Sequence, residues 1–261
     1  MFRGFIVYNQ TVVQLVMMAV RPTELRHRTN DKMKIRFFIL ILAGFGGANA
    51  AFSQTAQSGS VFQSWNEIQV ILPLVRTKDS KGKNVNRITA TFNGILRIGR
   101  KNLDLVDRRT GVMLDFRVNK YLSLLTGALY RKDEIVKNAP RIETRLDFGA
   151  VLSTTWHNFS FRDRNMFEHR FRNGRVDTNL YRQRIQVSYP IKHKGKILFS
   201  PFVSEEGYLD LGSRKWVQNE LYVGISRSLS RRTSIDIAYL RNDSKPVNVN
   251  GLSLGLKITL R

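Results

Sequence analysis

The stretch RIETRLDFGAVL, residues 141–152, alternates between two unlike sets of side chains. One set is charged and consists of Arg141, Glu143, Arg145 and Asp147, and the other is apolar or small and consists of Ile142, Thr144, Leu146, Phe148, Ala150 and Leu152. A period of two is typical of a β-strand whose faces meet different environments. The stretch therefore predicts a strand with one charged face and one apolar face.

The same alternation recurs along the chain after residue 50. It is clear in GLSLGLKITLR (251–261), where every second residue is apolar, and in YRQRIQVSY (181–189), where Tyr181, Ile185, Val187 and Tyr189 share one face. No helical period accompanies it, and no apolar stretch after residue 50 reaches the roughly 20 residues of a transmembrane helix. The sequence therefore predicts an all-β protein.

Aromatic residues and segment length favour a transmembrane, up-and-down antiparallel β-barrel. Trp and Tyr recur near the ends of the predicted strands, at Trp65, Tyr121, Tyr130, Trp156, Tyr181, Tyr189, Trp216 and Tyr239. Such girdles mark the two membrane interfaces, and segments of about ten residues cross a bilayer as tilted strands. The alternative is a soluble periplasmic β-barrel or sandwich that binds a small ligand.

The N-terminal 50 residues have the features of a secretory signal peptide. From Met33 the chain reads MKIRFFILILAGFGGANAAFSQ, with a short basic region, an apolar core and a small-residue cleavage site that ends at Ala50. We therefore expect residues 1–50 to be removed, with Met33 as the true start, and residues 51–261 to form one barrel domain. The predicted location is the outer membrane of a diderm bacterium.

The chain is strongly basic, with 43 Lys and Arg against 20 Asp and Glu and a formal net charge of +23. Export makes nucleic acid an unsuitable partner. The expected partners are outer-membrane lipids and lipopolysaccharide, whose phosphates are anionic, together with the barrel-insertion machinery and small anions. The chain has no cysteine, which excludes disulfides and thiolate chemistry.

Turn and loop lengths predict twelve strands, with ten as the alternative. Short turns are expected at 119–120, 156–158 and 229–232, and longer external links at 76–86, 132–140, 173–178, 208–215 and 242–250. An even number of strands places both termini on the periplasmic side. To reach that number, we divide residues 87–118 into three strands, with turns at 99–102 and 108–111.

The stretch RDRNMFEHRFR, residues 162–172, is predicted to be the sixth strand, with its charged face toward the barrel lumen. Pairing about the neighbouring turns places Arg145 opposite Glu168, and Glu168 opposite Arg184. A bulge near Asn165 is expected, because Met166 falls among the charges. The predicted lattice of lumen charges comprises Glu143, Arg145, Asp147, Arg162, Arg164, Glu168, Arg170, Arg182, Arg184 and Glu206.

This lattice favours a passive function, either structural or as a narrow, anion-preferring channel. An outer-membrane lipid-modifying enzyme is the third hypothesis. We expect no catalysis, because His157, His169 and His193 have no nucleophile in a recognisable arrangement and no Gly-x-Ser-x-Gly motif occurs. No nucleotide, haem or zinc motif is present, so no cofactor and no metal are expected.

Several segments resemble a bacterial family catalogued as domain of unknown function 2490. They are SWNEIQVILPL (64–74), RVNKYLSLLTGALYR (117–131), FRDRNMFEHRFR (161–172), LYRQRIQVSYP (180–190) and WVQNELYVGISRSLS (216–230). The resemblance spans nearly all of residues 62–261 and implies an outer-membrane β-barrel. It implies no catalytic residues.

Overall fold

The structure is a computed structural model that describes residues 61–79, 82–99, 104–133, 141–244 and 247–260. Within these ranges it contains twelve β-strands and no helix. The strands are β1 (Val61–Lys78), β2 (Asn84–Gly99), β3 (Asp104–Arg117), β4 (Leu122–Asp133), β5 (Arg141–Trp156), β6 (Phe159–Arg172), β7 (Thr178–Ser188), β8 (Ile191–His193), β9 (Lys196–Asp210), β10 (Lys215–Ser228), β11 (Thr233–Ser244) and β12 (Val249–Thr259). The predicted signal peptide, residues 1–50, lies outside the described residues.

Eleven of the strands close into a barrel, which confirms the predicted all-β, up-and-down architecture. Consecutive barrel strands pair antiparallel, and β7 continues to β9. The barrel closes where β1 and β12 pair parallel, from Val61 opposite Val249 to Ile71 opposite Thr259. The short β8 pairs only with β9 and lies outside the barrel. These strands belong to one compact unit, Gln57–Arg261.

The division of residues 87–118 into three strands is wrong. The region forms two strands, and the expected turn at 108–111 lies inside β3, where Arg109 pairs with Arg131 of β4. The misleading residue was Gly111, which marks a close approach of two backbones. A Cβ atom there would lie 2.6 Å from the carbonyl oxygen of Ala128. The structure still contains twelve strands in total, because the short β8 lies outside the eleven-stranded barrel.

The argument for an even strand number also fails, because the parallel pair makes β1 and β12 start at the same end of the barrel. We call this end, which carries the loops 173–177 and 211–214, the long-loop end. The turns 118–121, 157–158 and 229–232 lie at the opposite, short-turn end. The link between β1 and β2, expected to be an external loop at 76–86, is confined to residues 79–83 and lies at the short-turn end.

A contact that skips a strand identifies the inside of the barrel. Arg164 of β6 and Glu206 of β9 form an ion pair of 2.8 Å, although β7 lies between their strands. Side chains two strands apart meet in this way on the concave face. Residues in register with this pair therefore point inward, and alternate residues point outward.

The outward face is apolar and exposed. Its exposed residues include Ile68, Phe92, Leu96, Phe116, Leu124, Leu146, Phe148, Leu152, Phe167, Phe171, Ile225, Ile237, Tyr239 and Leu252. No helix in the described part of the chain has the length and apolarity to span a membrane.

Candidate functional site: an ion-paired lumen

Arg182 of β7 stands at the centre of the interior and joins two buried carboxylates. Its guanidinium donates to Glu206 Oε1 from Nε at 3.0 Å and from Nη2 at 2.8 Å, and it also binds Glu168. Its third partner is the hydroxyl of Tyr208, at 3.3 Å. Glu168 and Glu206 are 0% and 2% exposed, so each depends on its arginines for charge compensation.

From Glu168 the network continues to β5. Arg145 donates to Glu143 at 2.6 Å and approaches Glu168 at 3.4 Å, while Arg170 Nε donates to Glu168 at 2.5 Å. From Glu206 it continues through Arg164, at 2.8 Å, and Arg184, at 3.6 Å. We call this connected set on β5, β6, β7 and β9 the charge network.

A second cluster, which the sequence reasoning missed, surrounds Asp107 of β3. This carboxylate is 1% exposed and is met by Arg109 at 2.9 Å, Arg131 at 3.0 Å and Arg97 at 3.7 Å. The cluster was missed because the expected turn at 108–111 broke the alternation of β3. The signal was nevertheless present: residues 107, 109, 111, 113 and 115 continue one inward face.

Aromatic rings support several of these guanidiniums. Arg97 lies 3.3 Å from the ring centroid of Trp65, and Arg184 lies 4.5 Å from that of Tyr222. The ring donors are paired as well, since Trp65 donates to Gln63 at 2.9 Å and the Tyr222 hydroxyl donates to Glu220 at 2.7 Å. The interior is therefore packed as well as ion-paired, because planar guanidinium stacks on aromatic faces.

All ten residues of the predicted lattice occupy inward positions, but the predicted register is wrong, although Arg145 and Glu168 still meet as a diagonal ion pair at 3.4 Å. Arg145 lies opposite Arg170, and Glu168 lies opposite Asp147 on one side and Leu180 on the other. The cause is turn length. The β5–β6 turn contains only residues 157 and 158, with His157 at a φ of 55°, and this shifts the β5–β6 partners by two positions. Between β6 and β7 the partner of Glu168 is shifted by four positions, from Arg184 to Leu180.

The expected bulge near Asn165 is also wrong. Pairing runs without interruption through β6 on both sides. Met166 points inward and packs with Leu125 and Val151 in a buried apolar cluster. Asp163 and Asn165 consequently point outward, among residues that are otherwise apolar.

Two inward residues stand apart from the ion pairs. Asp147 is 4% exposed, and its Oδ1 has no hydrogen-bond partner among the described residues. Arg162 is exposed and also makes no ion pair within that part of the chain. The charged groups that interact electrostatically with Arg162 are Arg164, Arg184 and Asp115. A free guanidinium beside two others is suited to contact an anion.

Inward Tyr222 of β10 and Leu240 of β11 pack with Trp65, Phe202 and Ala238 in a buried apolar cluster. Around this cluster, the side of the interior on β10, β11 and β12 has small residues at several central inward positions. We call it the small-residue wall, and it consists of Gly224, Ala238, Gly251, Ser253 and Gly255. A Cβ at Gly251 would lie 2.1 Å from the backbone oxygen of Gln63 on β1. Glycine is thus required at the seam, because the two backbones approach closely there.

The histidines remain outside this interior. His169 points outward, with Nδ1 2.6 Å from Asn179 Oδ1 and Nε2 3.9 Å from Asp177. His157 packs edge-on against Trp156 in the β5–β6 turn, and His193 ends the outer strand β8. In the described ranges no group of three or more His, Asp or Glu side chains is arranged to hold a metal ion.

The fold and the interior together define a single β-barrel with a charged, ion-paired lumen and an apolar outer wall. The chain belongs to the family described as Protein of unknown function (DUF2490), whose sequence profile matches residues 62–250. The resemblance seen in the sequence is thereby confirmed. No curated protein matches the chain significantly.

Among solved structures, an anion-selective porin from Comamonas acidovorans is similar to this chain. The identity is 15% and the TM-score is 0.33, over 70% of this chain and 61% of the porin. The match thus spans less than two thirds of that porin's length. The barrel described above rests on its own strand pairing and not on this likeness.

Proposed function

We propose that this chain is an outer-membrane β-barrel that forms a narrow, anion-preferring channel beside an ion-paired wall. The observation that carries the proposal is the distribution of polarity across β5, whose exposed face is apolar and whose buried face is charged. On β5, outward Phe148 is 53% exposed, whereas its inward neighbour Asp147 is 4% exposed. A water-soluble barrel exposes its polar face, while a barrel in lipid exposes its apolar face.

The charge network limits what can pass. It holds arginines of three adjacent strands, β5, β6 and β7, against buried carboxylates, so that side of the lumen is filled. The proposed route follows the small-residue wall and passes the buried cluster of Trp65, Phe202, Tyr222, Ala238 and Leu240, which keeps it narrow. Arg184 reaches this side, 4.5 Å from the ring centroid of Tyr222, and Arg162, across the lumen on β6, has no ion-pair partner among the described residues. An anion is therefore favoured over a cation of similar size.

Lipids and lipopolysaccharide are the proposed surroundings of the outer wall, and the barrel-insertion machinery is the proposed route into the membrane. The proposed role is passive transport or wall structure, without catalysis.

The first experiment is heat-modifiability followed by conductance. Residues 51–261 are folded in detergent and run on a denaturing gel with and without boiling. We expect a mobility shift, and then a small conductance in planar bilayers whose reversal potential in a salt gradient has the sign for anions. Solubility in plain buffer without a shift would instead support a periplasmic ligand-binding barrel.

The contribution of Arg162 to anion preference is tested by the variant Arg162→Gln, with Arg227→Gln as the matched control. Arg227 is also near the short-turn end but points outward from β10. We expect Arg162→Gln to move the reversal potential toward zero and Arg227→Gln to leave it unchanged. Equal values for the two variants would remove Arg162 from the pathway.

A further inference from the structure

Three inward arginines of β6 and β7 lie close together near the short-turn end. Arg162 and Arg164 are two residues apart on β6, and Arg184 of β7 lies directly opposite Arg164. Directly opposite side chains have Cβ atoms about 5 Å apart, and diagonal neighbours are about 7–8 Å apart. Electrostatic interaction links Arg162 to both of the other arginines. The three guanidiniums can therefore reach one common ligand.

The carboxylates near these arginines leave them with excess positive charge. Glu206 pairs with Arg164 at 2.8 Å, but the same carboxylate is shared with two arginines of β7. Asp115 of β3 interacts electrostatically with Arg162, yet the two form no ion pair among the described residues. Asp115 therefore offsets the charge of Arg162 only in part. An anion from solution would balance the remainder.

Several hydrogen-bond donors in this region are free. Arg162 is exposed and its guanidinium makes no hydrogen bond in the described part of the chain, and the buried Nε of Arg164 has no partner there either. Gln186 lies directly opposite Arg162 on β7, and its amide is also unpaired within the described ranges. Arg184, by contrast, donates from Nε to Ser204 at 3.0 Å. The donors that remain for a ligand thus belong to Arg162, Arg164 and Gln186.

Hydroxyl groups line the approach to these donors from the short-turn end. Ser153 of β5 lies opposite Arg162, while Ser160 and Ser188 pair with each other between Arg162 and that end. Their side chains make no hydrogen bond within the ranges that the structure describes. A hydroxyl can both donate to an anion and accept from its other groups. The approach is therefore polar and neutral, and the free positive charge lies at its inner end.

A phosphate group matches these donors better than a halide ion does. A guanidinium donates two parallel N–H bonds to two oxygens of one phosphate, and the other oxygens can accept from an amide or a hydroxyl. A halide is a single acceptor and cannot use the planar fork of donors. A phosphate group also carries a charge of about −1.5 to −2 near neutral pH, which suits a cluster of guanidiniums with few carboxylates.

We propose that Arg162, Arg164 and Gln186 form a binding site for a phosphate group, carried either by inorganic phosphate or by a phosphomonoester. The inference rests on the proposed function and deepens it, because it names the class of anion and gives it a saturable site. Arg162 holds two oxygens through its fork of donors. Gln186 supplies a neutral donor from the next strand, and Nε of Arg164 supplies a charged one.

Calorimetric titration of the detergent-folded chain tests the site. The titrants are sodium phosphate and glycerol phosphate, added in a chloride buffer at constant ionic strength. We expect saturable binding of one phosphate group per chain, and the titrant with the lower dissociation constant identifies its source. Arg162→Gln should raise that constant about tenfold or more, whereas the outward control Arg227→Gln should leave it unchanged. Absence of saturable binding to the original chain would overturn the site.

Two further variants separate a built site from a general positive field. Arg162→Lys keeps the charge but replaces the planar fork with a point charge, and Gln186→Leu keeps every charge. We expect each to raise the dissociation constant about threefold or more. An unchanged constant in either variant would overturn the site as described. Phosphate binding without conductance would support the site and refute the channel, whereas anion conductance without saturable binding would refute the site alone.

Discussion

The two sides of the barrel interior use opposite means of construction. On β5, β6, β7 and β9 the charge network fills the space with arginines and buried carboxylates, linked through Arg182. On β10, β11 and β12 the small-residue wall lets strand backbones approach, and it packs with large apolar side chains in the buried cluster of Trp65, Phe202, Tyr222, Ala238 and Leu240. On the first side each charge depends on several partners. On the second side the packing is apolar, and the proposed pathway passes along it.

Buried carboxylates are tolerated where two or more guanidiniums surround them, as at Glu168, Glu206 and Asp107. In the channel that we propose, permeation would not require breaking these pairs, since the proposed route lies along the other wall. Changes to the two walls should therefore affect different properties.

The largest effect is expected from Glu168→Gln, in the charge network. Removal of this charge leaves Arg145, Arg170 and Arg182 under-compensated in a site that is 0% exposed. Loss of one partner of a buried ion pair costs about 3–5 kcal/mol. Urea unfolding of the detergent-folded chain, followed by gel mobility without boiling, measures the loss.

The control for that variant is Glu67→Gln on β1. Its carboxylate accepts a hydrogen bond from Gln69 at 2.7 Å and is half-buried. We expect a loss below about 1 kcal/mol, the range of an ordinary hydrogen bond. Similar losses of unfolding free energy for the two variants would show that the charge network contributes no more to stability than an ordinary hydrogen bond does.

The next effect is expected from Ser253→Phe, in the small-residue wall. Ser253 points inward between Trp65 of β1 and Ala238 of β11. A phenyl ring there occupies the proposed route, so single-channel conductance should fall to the bilayer baseline. Overpacking costs about 1–3 kcal/mol, less than Glu168→Gln.

Leu252→Phe is the matched control for this variant, since residue 252 is adjacent but outward. It should keep the original conductance. If Ser253→Phe conducts as the original chain does, the pathway does not follow β12.

The smallest effect is expected from Asp147→Asn. Asp147 lies directly opposite Glu168, and like charges opposite each other destabilise a sheet. Neutralising one should stabilise the barrel by about 0.2–1 kcal/mol, seen as a higher urea midpoint. Asp133→Asn is the opposite case, because Asp133 pairs with Arg131 at 3.1 Å, and it should lower the midpoint. A lower midpoint for Asp147→Asn would mean that its charge is needed by the network.

Much of the fold could be predicted from local pattern. The period of two assigned Glu143, Arg145 and Glu168 to the inward face, because side-chain direction in a strand depends only on position along it. Cross-strand partners could not be assigned, because they depend on the length of each turn. One residue fewer in a turn moves the register, as at residues 157 and 158. Gly111 was wrongly predicted to lie in a turn for a related reason. Glycine is needed there because the backbone of the neighbouring strand β4 approaches closely.

The sequence by itself determined the all-β class, the inward charges and the apolar exterior, because alternation is a property of the chain alone. Only the tertiary structure decided the closure of eleven strands through a parallel seam, the role of Arg182 between Glu168 and Glu206, and the register of β6 against β5 and β7. These features join residues far apart in the chain. Their positions follow from register and curvature, which no local pattern specifies.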